Sequence, residues 1–169
     1  MKKYLFIPDR IFEDIYEITP EYLLSEDLRF VLSDIDNTLV TYSDKEPTEK
    51  LLAWLRSLDE AGIKTAFISN NNKNRVERFN KDLNYPAYHG SGKPSRRFVF
   101  RLMKEMGAEK ENTCIIGDQI FTDVLSAKRA GVRAILVRSI EPPKDLFGKI
   151  KKALEKKYVS EYYKKRNEP

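Results

Sequence analysis

The sequence is poor in the residues that most often build redox and zinc sites, and this sets the first limits on its chemistry. It has one cysteine, Cys114, and one histidine, His89, in 169 residues. A single thiol excludes an internal disulfide and an all-cysteine metal site, and it suits a reducing compartment. One imidazole argues against a histidine-rich zinc centre and against hydrolysis by a serine–histidine–aspartate triad. Long apolar runs are also missing. The amino-terminal stretch Tyr4-Leu5-Phe6-Ile7 stops after four residues, whereas a secretion signal needs about 7–15 apolar residues and a membrane span about 20. The expected location is cytoplasmic. No repeat, low-complexity tract or Gly/Ser-rich linker divides the chain, which reads as one domain over 1–169.

Charge is plentiful and unevenly placed. Thirty-one Lys and Arg stand against 26 Asp and Glu, a net +5. The stretch 147–169 carries eight Lys or Arg against three Glu, which equals the excess of the whole chain. This basic tail, 144–169, reads as a solvated helix end or as an electrostatic contact with anionic lipid or nucleic acid. Its tyrosines, Tyr158, Tyr162 and Tyr163, fit packing better than base stacking. The solvated helix end is the preferred reading, a peripheral contact with an anionic phospholipid surface stands beside it as the alternative, and a nucleic-acid partner is not expected.

Apolar periodicity organises the rest. Residues 1–28 read as an amino-terminal extension, with Ile11, Phe12, Ile15, Tyr16 and Ile18 at mostly helical spacing over 8–28. Buried strands are expected at 30–35, 63–69, 113–116 and 133–137, with a short extended piece at 86–88. Helices are expected at 47–60, 74–83, 95–106 and 123–130, and a basic amphipathic one near 144–163. Strands alternating with helices predict right-handed crossovers and a parallel sheet covered on both faces, an α/β fold in three layers. Cys114 and Trp54 read as core, and His89 as a loop residue.

In such sheets ligands gather beyond the carboxyl ends of the strands. The polar residues obey that rule: Asp34 and Asp36 follow the first core strand, Ser69 the second, and Gly117-Asp118 the third. Two carboxylates one residue apart repel each other unless a cation neutralises them. Asp118 and Asp123 add a third and a fourth, and an all-oxygen cluster selects a hard cation, magnesium being usual beside phosphate. Ser69 offers a hydroxyl and Lys93 a fixed positive charge for phosphoryl oxygens. The set reads as a phosphoryl-transfer site. Taken singly, Asp34 or Asp36 would serve as a helix cap, Ser69 as another, Lys93 as a solvated charge and Asp123 as a helix start.

Four strings in one order, Asp34-Ile35-Asp36-Asn37-Thr38, Ser69, Gly92-Lys93-Pro94 and Gly117-Asp118 through Thr122-Asp123, resemble the haloacid-dehalogenase (HAD) superfamily phosphatases. The Ser69-Asn70-Asn71 run, the early Pro-Asp segment and the length resemble the YqeG-like class III subgroup, related to phosphatidylglycerophosphate phosphatases. The resemblance implies a Rossmann-like sheet and an aspartyl-phosphate formed on Asp34, with Asp36 as acid and base. It also implies magnesium held by Asp34, the Asp36 carbonyl and Asp118, with Asp123 in support. Ser69, Asn70 and Lys93 would bind the phosphate, and Thr38 would buttress the first loop. Ser69 follows Asp36 by 33 positions and Lys93 follows Ser69 by 24, too few for an independently packed cap. An uncapped site admits a phosphate on something large, such as phosphatidylglycerophosphate. Three other readings differ in chemistry. A dehalogenase has no need of Asp36 or a metal, a receiver domain splits its acids between strands, and a non-enzymatic module that binds phosphorylated ligands or partners would need no turnover.

Overall fold

The computed structural model describes residues 3–167. Six strands form one wholly parallel sheet. In chain order the elements are β1 (Arg10–Phe12), α1 (Pro20–Ser25), β2 (Phe30–Ser33), α2 (Glu49–Glu60), β3 (Lys64–Ile68), α3 (Lys73–Asn80), β4 (Ala87–Tyr88), α4 (Arg97–Met106), β5 (Thr113–Gly117), α5 (Leu125–Ala130), β6 (Arg133–Val137) and α6 (Leu146–Asn167). The spatial strand order is β1-β6-β5-β2-β3-β4. The chain runs outward from β2 through β3 to β4, then returns to the other side of β2 for β5. That reversal opens a crevice between the carboxyl ends of β2 and β5, where ligands of doubly wound sheets collect.

Period-two alternation sends successive strand residues to opposite faces. Val31, Phe67, Cys114, Ile116, Ile135 and Val137 pack with Leu51, Trp54, Leu55 and Leu58 of α2. Leu32, Ala66, Ile68, Ile115, Ala134 and Leu136 face Val99, Leu102 and Met103 of α4 and Ala127 of α5. The result is three layers. Helix α2 shows how its sequence sets its limits. The Thr48 hydroxyl accepts from Leu51 N–H at 3.2 Å, and Leu51, Trp54, Leu55 and Leu58 form one buried stripe. Gly62, at φ 75°, turns the chain out. Each such leucine, fully buried, contributes roughly 1.5–3 kcal/mol.

The extension expected over residues 8–28 is not mainly helical. Residues 10–12 form an edge strand beside β6, pairing Ile11 with Leu136 and Phe12 with Val137. Ile15 and Ile18 are buried, and the Trp54 indole donates to the Ile18 carbonyl at 2.9 Å. This segment therefore packs on the sheet. Ile11 and Phe12, adjacent on this short strand, pack on opposite faces of the sheet. The helix expected at 123–130 begins instead with a wider π-helical turn, Ile120–Val124, ahead of α5. Cys114 is buried, and burial pushes its thiol up to about 12. His89 is exposed in a loop. Among the described residues, no helix is long and apolar enough to cross a membrane. The two motif intervals hold α2 with β3 and α3 with β4, leaving no inserted cap.

Candidate active site

The ends of β2 and β5 bring the acids together. Ser33 lies opposite Ile116, and Asp34 N–H donates to the Ile116 carbonyl at 2.9 Å, so Asp34 and the Gly117-Asp118 turn are neighbours. Asp123 reaches the same point from the π-helical turn. One oxygen each from Asp34, Asp118 and Asp123 lies within 4.8 Å of the others, all three side chains being buried. Gly117 makes this approach possible. A Cβ there would lie 2.3 Å from Cγ of Asp123, far inside contact distance. Among the described residues, no other group of three or more His, Cys, Asp or Glu side chains is close enough to hold a metal.

Lys93 lies within this triad. Its Nζ is 2.7 Å from both Asp34 Oδ1 and Asp123 Oδ1. Burial alone would lower its pKa, but the two carboxylates outweigh burial and hold it above the ordinary lysine value. Burial pushes Asp34 up to about 7, against the pull of Lys93 and with the push of Asp123 and Asp118. Asp118 is raised to about 6 by burial and by Asp123, although hydrogen bonding from Ser139 opposes the shift. Carboxylates driven toward their neutral forms by burial, and further by one another, form a site that a hard cation would stabilise, and all-oxygen donors suit one. The residues present fit a divalent metal.

Asp36 is arranged differently. Its carbonyl was the expected ligand, and its carboxylate lies outside the buried triad. One carboxylate oxygen receives Nε and Nη2 of Arg75, each at 2.8 Å, while the other accepts from Asn71 Nδ2 at 2.9 Å. Arg75 also donates to the carbonyls of Thr41 and Lys45, tying α3 to the segment after the first motif. Thr38 Oγ1 sits 3.4 Å from Asp118 Oδ1. Ser69 is buried at the end of β3, and its hydroxyl accepts from Asn71 N–H at 3.0 Å. The Asn70 amide accepts from Lys93 N–H at 2.7 Å and donates to the Lys93 carbonyl at 3.2 Å. It thus braces the turn that presents Lys93. Asp34, Asp36, Ser69, Asn70 and Lys93 all line one open cleft of about 390 Å³, together with Tyr42 and Lys151.

Several contributors were given no role by the motifs. Asn37, at φ 66°, uses both ends of its amide on the backbone of Glu141, at 2.9 and 2.7 Å. Ser139 Oγ donates to Asp118 Oδ2 at 2.7 Å. From α6, Lys152 Nζ donates to the Asp118 carbonyl at 2.9 Å and to Ser139 Oγ at 2.8 Å. Buried Glu155 accepts from Ile120 N–H at 2.7 Å. The last helix therefore holds the turn that carries Asp118. A basic residue at the outset of α3 was the only sequence trace of Arg75, and a lone arginine there reads as solvated surface.

A doubly wound sheet with acids, a hydroxyl and a lysine converging at its switch point fits phosphate chemistry, and comparison with known proteins makes the class specific. The HAD-hydrolase-like family profile matches residues 90–159. The Bacillus subtilis protein named "Probable phosphatase YqeG" is 34% identical over 160 residues, covering 95% of this chain and 93% of that one. The cobalt-bound deoxy-D-mannose-octulosonate 8-phosphate phosphatase of Haemophilus influenzae shares the fold with a TM-score of 0.55, at 18% identity, covering 81% of this chain and 90% of that one. A protein from Listeria monocytogenes serotype 4b does so with a TM-score of 0.56, at 16% identity, over 70% and 85% of the two chains. The chain belongs to the HAD-like phosphatases, in their cap-less form.

Proposed function

We propose that the chain is a magnesium-dependent phosphomonoester hydrolase working through an aspartyl-phosphate on Asp34. The observation that carries this reading is the position of Asp34: it belongs to the buried acidic triad, contacts Lys93 at 2.7 Å, and lines the open cleft. Asp34, Asp118 and the Asp36 carbonyl would hold the magnesium, and Asp123 supports the set by fixing Lys93. Bound there, the cation would keep the acids ionised and draw negative charge from the phosphoryl oxygens.

The remaining chemistry belongs to the chain. An Asp34 carboxylate oxygen bonds to phosphorus as the bond from phosphorus to the leaving oxygen breaks, and Asp36 gives that oxygen its proton. A water then attacks phosphorus, passing its proton back to Asp36, and the bond to Asp34 breaks to release phosphate. Lys93 and the Ser69 hydroxyl hold the phosphoryl oxygens. Asn70 sets the Lys93 turn, and its own place on the cleft wall lets it meet the substrate. Arg75 and Asn71 orient Asp36, and Thr38 buttresses Asp118.

The substrate reading goes further. With no cap above it, the cleft can take a phosphate carried by a large group, and the basic tail favours an anionic one. The YqeG-like resemblance favours phosphatidylglycerophosphate. The test is hydrolysis with added magnesium. Wild type should release phosphate from a generic phosphomonoester and, more efficiently, from phosphatidylglycerophosphate in mixed micelles. Asp34→Asn should release none. Turnover by Asp34→Asn would remove the nucleophile from the reading. Efficient hydrolysis of soluble sugar phosphates, with none of the lipid, would remove the lipid substrate.

A further inference from the structure

A contiguous cluster of large exposed apolar side chains on a soluble domain marks a surface that something covers. Four gather on the first half of α6. Leu146 is 74% exposed, Phe147 77%, Ile150 52% and Leu154 58%. Spaced at i, i+1, i+4 and i+8, they share the side of the helix opposite Glu155 and Tyr162, which are buried against the body. Two more exposed apolar residues, Tyr42 and Ile140, flank the same end of the sheet. Tyr42 lines the catalytic cleft. Ile140 N–H bonds the Asn37 carbonyl, within the first motif. Phe147 lines a second groove of about 400 Å³, and Tyr42, Gln119 and Lys151 belong to the walls of both groove and cleft. The apolar edge therefore stands at the mouth of the active site.

Charge identifies what would cover it. Residues 144–157 contain six lysines and two acids. Both acids are occupied: Glu155 by Ile120 N–H and Lys152, Asp145 by Gly148 N–H. Lys144, Lys149, Lys156 and Lys157 are exposed around the apolar stripe. Protein interfaces are depleted in lysine. A helix with leucine and phenylalanine on one face and lysines beside it is built to lie in the headgroup region of an anionic membrane.

We propose that the edge formed by Leu146, Phe147, Ile150 and Leu154, ringed by these lysines, docks on an anionic lipid bilayer and sets the cleft at headgroup level. This deepens the lipid-phosphate reading and rests on it for its purpose, but the docking can be measured without turnover. The probe is co-sedimentation with vesicles of phosphatidylglycerol mixed into phosphatidylcholine, against vesicles of phosphatidylcholine alone. Wild type and the inert Asp34→Asn variant should bind the anionic vesicles equally, and the neutral ones at least tenfold more weakly. The triple variant Phe147→Ser, Ile150→Ser, Leu154→Ser should lose at least tenfold in vesicle affinity while keeping its thermal midpoint and its kcat/KM on a soluble phosphomonoester. Should that variant fail to fold, Lys149→Glu with Lys156→Glu should abolish the preference for anionic vesicles. Wild type that ignores anionic vesicles, or variants that bind them undiminished, would overturn the docking. A wild-type dimer that the triple variant dissolves, without vesicle binding, would overturn it in favour of a second copy of the chain. Vesicle binding without any phosphatase activity would leave the docking standing and sink the catalytic reading instead.

Discussion

Replacing Asp34 by asparagine should make the metal-free protein more stable, although it removes the proposed attacking group. Asp34 is raised from 3.8 to about 7, chiefly by burial. Between those values the folded protein binds more protons than the unfolded chain, so its stability falls as pH rises through the window. At about 1.4 kcal/mol per unit, the ionised carboxylate costs about 4 kcal/mol above pH 7 and roughly a third of that at pH 5. Asparagine has the shape of the neutral acid and escapes this cost. It also deprives Lys93 of one of its two carboxylate partners, so about half the gain, on the order of 2 kcal/mol, is expected to survive. In a domain of this size that is a rise of roughly 4–8 °C in the thermal midpoint. The measurement is thermal unfolding in EDTA from pH 5 to pH 8, with the gap between variant and wild type widening toward pH 8. Added magnesium should narrow it by stabilising the wild type preferentially. A variant that melts at or below wild type at pH 8 without metal would show that ionised Asp34 carries no such cost in the fold.

Three further substitutions probe the supports. Arg75→Ala leaves Asp36 held only by Asn71 and should lower kcat by roughly 10- to 100-fold with little change in KM; steady-state kinetics giving wild-type values would end its role in orienting Asp36. Gly117→Ala forces Asp123 away from Lys93, so magnesium affinity, followed by calorimetry, should drop at least tenfold. An unchanged affinity would mean that Asp123 has no part in the site. Glu155→Ala strands the buried Ile120 N–H at a cost of about 1–3 kcal/mol, and should lower the thermal midpoint by several degrees and weaken metal binding with it. Loss of stability without loss of metal affinity would uncouple α6 from Asp118.

Local patterns made the framework legible. The strands at 30–35, 63–69, 113–116 and 133–137 were visible because buried parallel strands are continuous apolar runs, and Gly62 and Gly107 closed helices where a left-handed residue was needed. The acids after those strands had to meet because a parallel sheet puts all carboxyl ends on one side. Legibility failed where a contact joined distant residues without a pattern. Strand β1 has three residues, and its pairing with β6 bridges more than 120 positions. Arg75, Ser139, Lys152 and Glu155 are ordinary surface types until the fold turns them inward. Taken singly Asp123 read as a helix start, and its place in the ordered motif set is what joined it to the other acids.

The placement of β1 also bears on how the chain assembles. Its one sheet neighbour is β6, which closes only after residue 133 has been made. Strand β1 is therefore made well before the strand it pairs with. In the interval, Ile15 and Ile18 can already settle on α2 through Trp54, holding the early segment near its final seat. At this edge of the sheet, β1 can take its place only once β6 has been made, more than 120 positions later.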